Sequence, residues 1–116
     1  MTKPNKNYFR LATDENLQFL ICYKKSLRLQ KLADETIRKY SKDVYNLMLF
    51  LQGKDIKTLD ITLEIFEEYL ESLECGNARK LRIFRSCKKF YDFQRTRRRV
   101  KRNPIEEFDT SKLREE

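Results

Sequence analysis

The stretch DETIRKYSKDVYNLMLFLQG, residues 34–53, decides the fold class. Its apolar positions Ile37, Tyr40, Val44, Leu47, Met48 and Leu51 recur at three- and four-residue steps. That spacing lays them on one stripe of an α-helix, whereas a strand needs strict alternation. Asp34 is the cap candidate at its start, where a carboxylate can accept from the free amides of the first turn. Gly53 is the expected stop, since glycine takes the left-handed conformation just past a helix end.

The same period recurs on both sides. Upstream, Thr13 or Asp14 opens a first helix whose positions Leu17, Leu20, Ile21 and Leu27 carry it to about Leu29. Downstream, Thr62 caps a third helix with Ile65, Phe66, Tyr69, Leu70 and Leu73 on its apolar side, expected to stop at Gly76. Asn77 caps a fourth, about 78–97, whose stripe is Ile83, Phe84, Cys87, Phe90, Tyr91 and Gln94. Asn103-Pro104 ends that pattern, because proline disfavours a helical residue before it and suits a first helical turn after it. A short helical turn, PIEEFD, is expected next. Two glycines and two prolines in 116 residues leave little material for hairpins. The expectation is an all-α four-helix bundle, with a flexible leader over 1–12, a packed domain over 13–109 and a tail or linker over 110–116.

Charge separates along this scaffold. The chain carries +8 in all, yet residues 59–76 hold six acids and no base, while 77–102 hold twelve bases and one acid, Asp92. An ordinary solvated helix interleaves Glu with Lys to make i,i+4 pairs. Sorting the two signs onto different helices makes a directional field that steers a polyanion onto one face. The outer face of the fourth helix carries Arg79, Arg82, Arg85, Ser86 and Lys89, followed by the run RTRRRVKR over 95–102. Such a run also occurs as a nuclear-targeting signal; next to the basic helix, phosphate contact is the simpler role. The second helix adds a smaller basic edge of Lys31, Arg38, Lys39 and Lys42. Thr36 in its first turn has two readings of equal weight, a local cap or a phosphate contact.

Other chemistries lack their residues. With no histidine, no Gly-rich loop and no Cys-x-x-Cys, general acid–base catalysis, phosphate cradling and zinc ligation have no visible machinery. Ser86, Cys87 and the tyrosines have no evident activating partner. Cys22, Cys75 and Cys87 read as small apolar thiols of a reducing compartment. No apolar run reaches a membrane span. The expectation is a soluble, cytoplasmic, non-enzymatic protein without cofactor or metal.

Four of these segments together resemble a known family. ADETIRKYSKDVYNLMLFL, Gly76, FRSCKKFYDFQ and RNPIEEF are similar, in order and spacing, to the core-binding domain of the tyrosine recombinases, which include phage and transposon integrases. The matching positions are Thr36, Ile37 and Tyr40 at the opening of the second helix and the Phe90-Tyr91 pair late in the fourth. Asn103-Pro104 follows thirteen residues after that Phe. The likeness runs over about 13–109. It departs in a shorter loop before the fourth helix, in Cys87 where a larger aliphatic is common, and in a turn before Asn103 without its usual glycine.

The resemblance implies a SAM-like bundle that grips one side of a recombination site through its second and fourth helices during DNA integration or excision. It implies Thr36 and Lys39 on the second helix, and Arg79, Arg82 and Ser86 on the fourth, as DNA contacts. Together with the charge map, the candidate DNA-binding set is Lys31, Thr36, Lys39, Lys42, Asn77, Arg79, Lys80, Arg82, Arg85, Ser86, Arg97, Arg98, Arg99, Lys101 and Arg102. The family's catalytic Arg, His and Tyr belong to a separate domain, expected beyond residue 116, so none of the six tyrosines here is its nucleophile. The implied partners are duplex DNA, that catalytic domain, and other protomers of a synaptic complex in a bacterial or phage setting. The alternative is a basic SAM-like module that binds an acidic protein.

Overall fold

The computed structural model of the protein describes residues 14–113. All regular structure among them is helical: α1 Asp14–Leu29, α2 Asp34–Gly53, α3 Leu63–Ser72 and α4 Asn77–Thr96, with 3-10 turns at Thr58–Asp60 and Thr110–Leu113. The expected all-α class with four helices is what forms, and no strand occurs among the described residues. Contacts divide the chain into two compact units, 1–58 and 59–116. The leader over 1–12 lies outside the described residues.

In the first unit α1 and α2 contact one another across a four-residue connection, 30–33. Leu20, Tyr23 and Leu27 of α1 are buried, as are Ile37, Val44, Leu47, Met48 and Leu51 of α2. A buried hydrogen bond from Thr58 Oγ1 to Asn16 Oδ1, 2.7 Å, ties the end of this unit to the start of α1.

The second unit has an aromatic centre. Phe66 of α3, Phe84 of α4 and Phe108 from the C-terminal segment meet pairwise, with ring centroids 4.9–6.0 Å apart. Tilted and edge-on rings at these distances add to the area they remove from water. The whole expected stripe of α4 is buried, from Ile83 to Gln94.

Some helix ends follow the sequence reading, with α1 over Asp14–Leu29 and α2 ending at Gly53, and others depart from it. Ala33, not Asp34, is the N-cap of α2; Asp34 and Glu35 sit inside the first turn, where their charge favours the helix dipole. Gly76, not Asn77, caps α4, and α3 stops at Ser72, four residues short of that glycine, because Leu73 is already extended. Thr62 caps α3 as expected, its hydroxyl accepting from the Ile65 amide at 3.3 Å, and the cap expected for α1 at Thr13 lies outside the described residues.

Gly53 is not left-handed either. The left-handed residues are Lys31, Asp55 and Arg98, with φ of 59°, 58° and 60°. Each closes a helix in the same way. The next residue's amide bonds back five positions, Leu32 to Leu27, Ile56 to Leu51 and Arg99 to Gln94, while the left-handed residue's own amide bonds back three. This is the Schellman arrangement, here built three times without glycine.

The segment PIEEFD forms turns and no helix. Asn103 Oδ1 accepts from the Ile105 amide at 3.0 Å, and the Asn103 carbonyl accepts from Glu106. A side-chain turn of this kind competes with helix for the same amides. The C-terminal 3-10 turn comes later, at Thr110–Leu113, in the stretch read as tail. There it contacts α4, Leu113 is buried, and Lys112 Nζ lies 3.0 Å from Glu67 Oε2.

Candidate nucleic-acid interface

α4 and the loop after it carry the densest charge. The buried stripe fixes which side of α4 faces outward, and helical spacing places Arg82, Arg85 and Lys89 along that outer side. Arg79 and Arg85 are exposed; Asn77, Lys80, Arg82 and Lys89 are half-buried. Ser86 is a correction. It has no exposed surface, and its hydroxyl donates to the Arg82 carbonyl at 3.2 Å, so this side chain is not available to a ligand. A small hydroxyl at the edge of the apolar stripe satisfies itself on the preceding turn.

The start of α4 opposes ordinary helix design. No acid stands in its first turn, no side chain caps it, and Arg79 and Lys80 place positive charge at the positive end of the helix dipole. Like charge there typically costs about 0.3–1 kcal/mol, a cost that an anion at the same place would reverse.

Residues 97–102 continue the surface, and Arg97, Arg98, Arg99, Lys101 and Arg102 are all exposed. Two of the five have local contacts. The Arg97 guanidinium lies 5.3 Å from the Phe93 ring centroid, and Arg99 Nη1 donates to Gln94 Oε1 at 2.8 Å. The single acid of this region is consumed nearby. Asp92 Oδ2 accepts from Lys88 Nζ at 3.2 Å, its Oδ1 accepts from Asn103 Nδ2 at 3.0 Å, and Arg95 Nη2 is 3.8 Å away. Lys89, one turn after Arg85, and Arg95, the first base of the 95–102 run, join the surface beyond the candidate set.

α2 offers less. Lys31, Lys39 and Lys42 are exposed and Thr36 is half-buried. However, Arg38 Nη2 and Lys39 Nζ both approach Glu35 Oε1, at 2.8 and 3.9 Å, so the basic edge is answered on its own helix.

Beside the loop, in the same unit, an open cleft of about 550 Å³ is lined by Leu59, Leu63, Val100 and Pro104 among others. Lys101 and Arg102 of the loop line it together with Glu64, Glu106 and Glu107, so the cleft carries both signs of charge. No group of three or more possible metal ligands occurs among the described residues. Tyr91 is fully buried, and burial, with Cys87 beside it, holds its phenol well above the ordinary tyrosine range. Such a phenol stays protonated at neutral pH and is a poor nucleophile. No helix is long and apolar enough to cross a membrane among the described residues. Searches of family models, characterised proteins and solved structures gave no match to the chain.

Proposed function

We propose that this chain binds duplex DNA as a SAM-like core-binding domain of the tyrosine-recombinase kind, with α4 and the loop after it as the main contact. The observation that carries the reading is the outer surface formed by Arg79, Arg82, Arg85, Lys89 and residues 97–102, whose one acid is tied up by Lys88 and Asn103. A surface this rich in bases and poor in acids attracts a phosphate backbone and is stabilised by it. The bases that oppose the α4 dipole support the same reading.

The roles divide by geometry. Arg82 and Arg85 on the helix face can offer guanidinium forks to guanine in the major groove. The exposed loop bases and Lys31 contact phosphates, which position the domain without reading sequence. The domain performs no chemistry; a catalytic domain of the same recombinase supplies it. Other protomers on the same recombination site complete the assembly.

Fluorescence anisotropy on a labelled duplex across a salt series tests this. With about five to eight phosphate contacts, log K against log[salt] has a slope of roughly −5 to −7. The variant Arg79→Glu/Arg82→Glu/Arg85→Glu, folded by circular dichroism, loses that binding. Equally weak binding by both proteins at low salt would sink the DNA reading and assign the basic face to an acidic protein.

A further inference from the structure

We infer that residues 97–102 form a loop built in advance as a cradle for the backbone phosphates of a nucleic-acid duplex, and that Asn103 is the positioning residue that keeps it closed. The inference rests on the DNA reading above and deepens it.

Both ends of the loop are fastened to α4. At the first end, α4 closes through left-handed Arg98: the amides of Arg97, Arg98 and Arg99 bond to the carbonyls of Phe93, Arg95 and Gln94 at 2.9–3.0 Å. The Arg99 guanidinium adds its bond to the Gln94 side chain. At the far end Asn103 reaches back along the helix. Its Nδ2 donates to the Lys88 carbonyl at 2.8 Å and to Asp92 Oδ1 at 3.0 Å, and the residue is only 4% exposed. Its own Oδ1 takes the Ile105 amide, so both donors and one acceptor site of this buried amide group are engaged in one clamp.

The six residues between these fastenings, RRRVKR, carry five positive charges and no acid. Arg98, Lys101 and Arg102 make no ion pair among the described residues. Five like charges in six residues repel one another, and a free segment of this composition would be extended and disordered. The two fastenings hold it against that repulsion. A fixed array of like charge is strained alone and relieved by a polyanion. Because its backbone is already ordered, binding does not have to order it again, and that saving appears as affinity. Asp92 then has a defined part as the acceptor that seats Asn103, which accounts for the lone acid in an otherwise basic stretch.

Three variants of the full chain separate these contributions in the anisotropy assay. Asn103→Ser keeps an oxygen for the Ile105 amide but removes the amide donor. Two glycines inserted between Lys101 and Arg102 loosen the loop and leave the clamp and every charge in place. Each should weaken duplex binding about three- to tenfold at fixed salt while leaving the salt slope as in the unaltered protein, since the charges remain. The charge variant Arg98→Gln/Lys101→Gln/Arg102→Gln should instead flatten the slope by up to about three contacts' worth. If Asn103→Ser melts below the assay temperature, the insertion decides alone. Unchanged affinity in the folded loosened variants, with steep binding by the unaltered protein, overturns the cradle and leaves the DNA reading standing. Absence of salt-dependent binding by the unaltered protein overturns both.

Discussion

Lys31, Asp55 and Arg98 hold left-handed backbone, where an L side chain crowds its own carbonyl at a cost of about 1–2 kcal/mol. Glycine would avoid that crowding but loses about 0.5–1 kcal/mol of chain entropy on folding, so each exchange to glycine should gain a few tenths to 1 kcal/mol. Asp55→Gly gains least, because aspartate tolerates this region better than lysine or arginine. In thermal melts Lys31→Gly and Arg98→Gly should each raise Tm by roughly 2–6 °C. The same two should weaken duplex binding, whereas Asp55→Gly should not. A lower Tm would mean that the side chain makes contacts outweighing its backbone strain. These positions also mark where the sequence stops being legible. Glycine is the strongest local stop signal, and α2 does end at Gly53, yet the left-handed turn forms two residues past it and α3 ends four residues before Gly76. A residue that merely tolerates a left-handed turn leaves no mark in the sequence. Ser86 fails to announce itself for a related reason: its hydroxyl bonds to its own helix, and a position at the stripe's margin reads equally as surface or core.

Helices as elements were legible, because their apolar spacing extends over several turns and is enforced by burial. α2 and α4 each run for twenty residues, and every stripe residue expected of α4 is buried. What periodicity does not disclose is how charge is answered once side chains are placed. Both helices show a basic edge in sequence, but in α2 Glu35 lies at i,i+3 from Arg38 and i,i+4 from Lys39, and both cations approach it. Exposed pairs of this kind are worth little in stability, about 0.3–0.5 kcal/mol, but they lower the field that a distant phosphate meets. α4 has a single acid, and that acid serves the Asn103 clamp. The two helices should therefore contribute unequally. Charge reversal at Arg38, Lys39 and Lys42 should reduce duplex affinity several-fold less than the same reversal at Arg79, Arg82 and Arg85, measured at equal salt. Equal losses would restore α2 as a full partner in the contact. The Asn103 clamp itself was beyond sequence reading. Asn103-Pro104 marks a break in the pattern, but the bond to the Lys88 carbonyl exists only once the chain fifteen positions on has folded back.

At the scale of the whole chain, net charge and charge placement make different predictions. Residues 1–58 hold twelve bases and six acids, while 59–116 hold fourteen and twelve. The half that carries α4 is thus nearly neutral in total, and its attraction for a polyanion must come from segregation of charge. Screening decides how much that segregation matters. At physiological salt the Debye length is about 8 Å, so an exposed carboxylate well beyond that distance barely alters the potential at a phosphate contact. Glu71 and Glu74 are exposed acids on or just after α3, and changing both to glutamine raises the net charge by two. Were net charge the governing quantity, this double variant would tighten duplex binding about as much as losing two bases from α4 weakens it. With placement governing, the α3 variant should stay within about threefold of the unaltered protein at 150 mM salt. Converting Arg79, Arg82 and Arg85 to glutamine should cost far more, because each lost contact also forfeits its released counterions. At 10 mM salt the Debye length grows to about 30 Å, and the acids of α3 then fall within reach of the whole interface. The α3 variant should therefore gain affinity over the unaltered protein only as salt is lowered. A gain that persists at 150 mM would place the bound phosphates close to α3 and move the interface off the outer side of α4.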